Sequence, residues 1–314
     1  MKKIVLAVLL ITLLLSLCSC GQKADNGSSK LKITAVLFAE YDFARQVAGN
    51  CAEVSMLLPA GSESHSYDPT PQDILKIKNS DVFIYGGGES DSWLDSIISS
   101  LDTEKTTIIS MMALCSLRQE ETVEGMQEEK GDEQDGETEY DEHVWTSPKN
   151  AIKIVEEIQN VLSDKDLENR EEYKANAEKF INELEALDKK IFDTVKQAKR
   201  NTVIFADRFP FLYFAKEYSL HYSAAFPGCS SEAEPSAATV KYLIDKVKNE
   251  NIPAVFTIEF SNEAIANAIK DETGCKILSF HSCHNVTKQD FKNGITYLDL
   301  MNQNLENLKE ALNG

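Results

Sequence analysis

The sequence predicts an α/β protein: two βα lobes with parallel sheets, joined by one long rigid helix. Three observations lead there. Apolar, β-rich runs alternate with helical segments, the pattern of parallel sheets covered on both faces. These runs fall into two sets of four. Between the sets lies a stretch without proline or glycine that carries a single apolar stripe at helical spacing.

Taken in order, the chain opens with "MKKIVLAVLLITLLLSLCSCG": two lysines, an apolar run from Ile4 to Leu17, then small residues around two cysteines. The run is shorter than the roughly 20 apolar residues of a spanning helix, so residues 1–19 read as a signal peptide. Its end resembles a bacterial lipobox, with Cys20, preceded by the small Ser19, as the lipidated cysteine. Residues 20–30, polar and containing Gly and Ser, read as a tether. The N-terminal lobe is expected over 31–166, with strands at 31–38, 51–58, 81–87 and 106–111. Thr70 and Pro71 start one helix, Ser147 and Pro148 another. From Leu167 to Lys199, Tyr173, Ala177, Phe180, Leu184, Leu187, Ile191 and Val195 recur at spacings of four and three, which predicts the linking helix over 167–199. The C-terminal lobe, 200–314, has strands at 201–206, 220–226, 252–259 and 275–280. Val240, Leu243, Ile244 and Val247 share one helical face, and a further helix runs from a capping Ser261 to Gly274.

Composition narrows the function. A net charge of -19 argues against nucleic acid, whose phosphates select basic surfaces. Residues 118–142 hold twelve Asp and Glu against Arg118 and Lys130, ten of the nineteen net negative charges. Such a run buries little apolar surface, and it is expected to be disordered and to make weak, exchangeable cation contacts. Five cysteines follow Cys20, an odd number in a compartment that permits disulfides.

Ligands in open α/β sheets bind beyond the carboxyl ends of the strands. Of five histidines, His65 follows the second strand and His143 the fourth, by way of the acidic segment. His281 and His284, in "SFHSCHN", follow the last. His221 lies inside a strand and reads as a packing or edge residue. Three strand-end histidine sites drawn from both lobes suggest one cation between them, since imidazole is a good zinc ligand.

At these residues the chain resembles the metal-binding solute-binding proteins of ABC importers, the cluster that takes up zinc and manganese. "SHSYDPTPQDI" resembles that family's first ligand motif and "DEHVWTSPKNAI" its second. "YGGGESDSWLD", "YFAKEY" and "GITYLDLMNQNLENLKEAL" resemble a strand-end loop, a second-lobe helix and the last helix. The resemblance runs from about Leu31 to the end and implies a metal site in the cleft between the lobes. It departs in two places. The loop after the first strand of lobe two, often Phe-His-Asp in the family, reads Ala206-Asp207-Arg208, and the usual final Asp is replaced by His281.

The ligand set implied is His65 and His143 from lobe one with His281 and Asp207 from lobe two; His284, Glu259 or water are the reserves. The ion implied is Zn2+, with Mn2+ as the nearer rival. It would be carried by an exported protein, lipid-anchored through Cys20 to the outer face of the bacterial cell membrane and monomeric, to an ABC importer permease. No catalysis is implied. A zinc hydrolase would need an open coordination position and a base, and no HExxH helix is present; a surface adhesin would be a third class, without repeats or stalk to favour it. Some relatives staple lobe two with a disulfide, for which Cys229 and Cys275 are the candidates. Cα atoms beyond about 7 Å cannot be bridged.

Overall fold

The eight apolar runs form two four-stranded sheets, parallel throughout, in the computed structural model, which describes residues 30–63, 67–127, 139–230 and 234–314. In lobe one, β1 (Leu31–Ala35), β2 (Ala52–Met56), β3 (Val82–Tyr85) and β4 (Thr107–Ser110) lie in the order β2-β1-β3-β4. In lobe two, β5 (Thr202–Phe209), β6 (His221–Pro227), β7 (Ala254–Thr257) and β8 (Lys276–Ser279) lie in the matching order β6-β5-β7-β8. Parallel neighbours need crossovers. They are provided by α1 (Phe38–Ala48), α2 (Pro71–Lys78) and the short α3 (Asp95–Ile98) in lobe one. In lobe two, α4 to α6 (Leu212–Glu217, Ala237–Glu250 and Ala264–Thr273) do the same.

Local chemistry sets several boundaries. Beyond the end of β1 the amides of Val36 and Leu37 donate to the Glu40 carboxylate at 2.7 and 2.9 Å, which turns the chain into α1. Thr70 and Asp73 form a reciprocal capping box at the start of α2, with Pro71 in the first turn. The helix Pro148–Lys165 starts on Ser147, which accepts from the Asn150 amide. Ser261 does not cap its helix. Glu263 takes a left-handed conformation as N-cap, and Ser261 Oγ instead accepts from the Glu263 amide.

The linking helix spans Arg170–Gln197, 28 residues or about 42 Å at 1.5 Å each. Its expected stripe is buried from Tyr173 to Ile191, while Val195 is only partly covered. It packs on Pro148–Lys165 and α1 of lobe one and on the last helix, Tyr297–Asn313, of lobe two. One apolar core therefore runs continuously from Ile33 through the linking helix to Leu312.

Two expectations change. Residues 118–127 and 139–142 of the acidic segment are ordered, while 128–138 lie outside the described residues, as do 1–29 with Cys20. Gln119 and Tyr140 pair in an antiparallel bridge, Met126 is buried, and the Gln127 amide donates to Ala225 O of β6. Charge density alone concealed the apolar Val123 and Met126 within the run. Cys229 and Cys275 are free thiols. One follows the carboxyl end of β6, the other precedes the amino end of β8, at the opposite edge of the same sheet. Three strand spacings of about 4.8 Å separate them sideways alone, well beyond disulfide reach.

Candidate metal centre

His143 stands at the carboxyl end of the lobe-one sheet, just before a single 3-10 turn, Val144–Thr146. It is wholly buried. Asp141, two residues earlier, accepts from the His143 amide at 2.9 Å and lies 3.2 Å from its Nδ1. A carboxylate on Nδ1 fixes that nitrogen as the protonated one and makes Nε2 the candidate ligand atom. Burial lowers the His143 pKa, but the Asp141 carboxylate, with Glu142 and Glu120 behind it, outweighs burial and holds it above the ordinary histidine value.

The imidazole that meets it is His284. The two rings lie edge to face with centroids 4.8 Å apart, and Trp145 packs against both. His284 Nδ1 contacts Ser282 Oγ, and the Ser282 hydroxyl in turn donates to the Glu259 carboxylate. That relay orients the ring as Asp141 orients His143, again making Nε2 the candidate ligand atom. Both Nε2 atoms are buried.

The loop carrying His284 belongs to lobe two by sequence but is built onto lobe one. The amides of Phe38 and Ala39, at the amino end of α1, donate to the carbonyls of His284 and Cys283 at 2.8 and 3.2 Å. Trp145 Nε1 donates to Ser282 O at 2.8 Å, and Asn285 Nδ2 donates to the carbonyls of Pro59 and Ser62. The latter pair leads directly into His65, which lies outside the described residues.

His281 is placed differently. Its Nδ1 accepts from the Cys283 amide at 2.9 Å, and its backbone is clasped on both sides by the Asn304 amide group. Asp207 lies within an irregularity of β5, between Phe205 and Arg208, and shares an open pocket of about 500 Å³ with Glu259, Ser261 and His284. Burial raises the Asp207 pKa against the opposing hydrogen bond from Ser261 and the Arg208 charge. The Arg208 guanidinium itself reaches Glu63 of lobe one at 3.3 Å.

Three further acids collect on the other side of His284. Asp91 and Glu142 line a second pocket, of about 380 Å³, with His284 and Trp145. The third, Glu40, is fully buried behind them. Burial pushes Asp91 up to about 7, with Glu142 adding to the rise. Glu40 is driven well above the carboxylate range by burial and by Asp91. Sequence reading missed Glu142 and Cys229 as site neighbours. The strand-end rule that found the histidines also points to Cys229, two residues past β6.

Two matching parallel α/β lobes bridged by one helix, with paired imidazoles at the strand ends, are the architecture on which the comparisons with known proteins bear. The chain belongs to the ZnuA family, described as the periplasmic component A of the zinc-uptake complex, whose model matches residues 33–311. It is similar to the zinc-binding lipoprotein AdcA of Streptococcus pneumoniae, 35% identical over 99% of this chain but over only 61% of that protein's length. It is also 29% identical to the high-affinity zinc uptake system protein ZnuA of Bacillus subtilis, over 95% of this chain and 94% of that one. The crystal structure of the Zn(II)-bound ZnuA-like domain of S. pneumoniae AdcA superposes with a TM-score of 0.74 at 32% identity, covering 91% of this chain and all of that domain.

Proposed function

We propose that this protein captures one divalent ion, zinc, in the crevice between its lobes and hands it to an ABC-type permease. One observation carries the reading. Two buried imidazoles from different lobes face each other, and each has its Nδ1 engaged so that Nε2 is the ligand atom. Nitrogen donors favour zinc over manganese, which prefers oxygen-rich sites. The ligand set we assign is His65, His143, His284 and Asp207. His284 replaces His281, whose Nδ1 accepts the Cys283 amide and so leaves the ring proton on Nε2, where a ligand needs a lone pair. Three neutral imidazoles and one carboxylate suit tetrahedral zinc. No catalytic step belongs to this reading. Cys20 would carry the lipid that keeps the protein at the outer face of the membrane, beside its permease.

The continuous core and the docked 281–286 loop restrict how far the lobes can open. Release of the ion is then a matter of loosening this loop more than of swinging a lobe. Elemental analysis of the purified protein, with competitive titration by zinc and manganese, tests the reading. One tightly held zinc per chain, displaced only by a large excess of manganese, is expected. Absence of any stoichiometric metal, or a preference for manganese, would overturn it.

A further inference from the structure

Lobe two approaches His143 a second time, at the end of β6. There the chain passes so close to the imidazole that any side chain would crowd it. A Cβ on Gly228 would stand 3.2 Å from His143 Nδ1 and Cε1, and 3.0 Å from the Phe209 carbonyl. The next residue is Cys229. Its sulfur, a His143 ring nitrogen and a Glu142 carboxylate oxygen all lie within 4.8 Å of one another.

We propose that Cys229, in the place given above to Asp207, is the fourth ligand to the captured ion, set beside Glu142 and His143 so that its thiolate selects thiophilic divalent metals against manganese. The inference rests on the metal-capture reading above and deepens it. Donor atoms in a tetrahedral zinc site sit about 3.5 Å apart, given bonds of about 2.0–2.3 Å. The sulfur and the His143 nitrogen, at most 4.8 Å apart, therefore need to close by about 1 Å, which side-chain rotation supplies. The surroundings suit a cation, because the carboxylates of Glu142, Glu120 and Asp141 all bear on the sulfur. On binding, the S–H bond breaks as the sulfur–metal bond forms. The proton leaves by way of Glu120, whose carboxylate is already hydrogen-bonded to Cys229, and passes to solvent. A thiolate is a soft donor. It favours zinc and discriminates against manganese, which binds best to oxygen.

Cobalt(II) reports sulfur ligation directly. The full chain loaded with cobalt alone should show a near-ultraviolet sulfur-to-cobalt charge-transfer band. Cys229→Ser should abolish that band yet keep the visible ligand-field bands of a bound cobalt. It should also narrow the preference for zinc over manganese by about tenfold or more, since even outer-sphere losses cost that much. Stoichiometric cobalt without the sulfur band overturns the inference and leaves zinc capture standing, as does a band that survives Cys229→Ser and falls with Cys283→Ser. A chain that takes neither cobalt nor zinc overturns both. Alkylation of the unsubstituted protein decides the matter if the variant misfolds. Zinc should block modification of Cys229 and a chelator should restore it, whereas unimpeded modification in the zinc-loaded protein contradicts the assignment.

Discussion

The two imidazoles at the centre of the crevice are buried alike but held by different means. His143 takes its support from its own loop, where Asp141 is two residues away and makes both the amide and the ring contact. His284 takes its support from a distance. Its carboxylate, Glu259, lies 25 residues earlier and acts through Ser282, and its backbone is fastened to the amino end of α1 in the other lobe. Local support leaves a motif in the sequence. Distant support leaves almost none, and it also makes the lobe-two half of the site depend on how the lobes meet.

That contrast can be tested from its largest expected effect downwards. Removing the locally supported ligand, His143→Ala, should lower zinc affinity by more than about 100-fold, beyond what outer-sphere losses cause; a competitive chelator titration reads it. Asp141→Asn should cost about 10- to 100-fold by the same assay, because Nδ1 loses its charged partner while Nε2 stays in place. Zinc affinity in the parent protein should fall with pH from a point above the usual histidine range, since His143 holds its proton more tightly than a free imidazole. In Asp141→Asn that fall should begin at lower pH. Ser282→Ala breaks the relay on the lobe-two side and should cost about tenfold or somewhat less, because the Glu259 carboxylate is one step further from the ring.

Stability should divide along the same line. Asp91, His143 and Glu40 all have raised pKa values in the folded protein. Each stabilises the fold below its unfolded value, and that contribution is lost as pH rises through the folded one. The metal-free protein should therefore unfold at lower temperature near pH 8 than near pH 5, with Asp91 losing its share on the approach to about 7. Asp91→Asn should flatten that dependence in a thermal melt, and an unchanged slope would show that Asp91 is not responsible. A separate effect, on stability, is expected for Trp145→Phe, which leaves the Ser282 carbonyl without its indole donor. It should cost about 1–3 kcal/mol of stability by denaturant unfolding.

How much of this was legible in sequence follows from the same distinction. The eight strands and the linking helix could be read because their signals are periodic and local, and the structure moves most of their ends by only a few residues. Thr70–Pro71 and Ser147–Pro148 could be read because a cap is set by its immediate neighbours. Ser261 could not, because Glu263 enters a left-handed conformation that no spacing rule announces. The preference proposed for His284 over His281 rests on contacts that no spacing shows: the Cys283 amide turns back onto His281 Nδ1, and α1 receives the carbonyls of the same loop. Cys229 was visible only as a disulfide candidate until the sheet order placed it at the other edge from Cys275.

The most direct measurement is a paired zinc titration of His284→Ala and His281→Ala against the same competing chelator. If the distant relay holds a true ligand, His284→Ala loses affinity by about 100-fold or more while His281→Ala stays within about threefold of the parent. The reverse order, with His281→Ala losing zinc and His284→Ala keeping it, would contradict the ligand set assigned to lobe two.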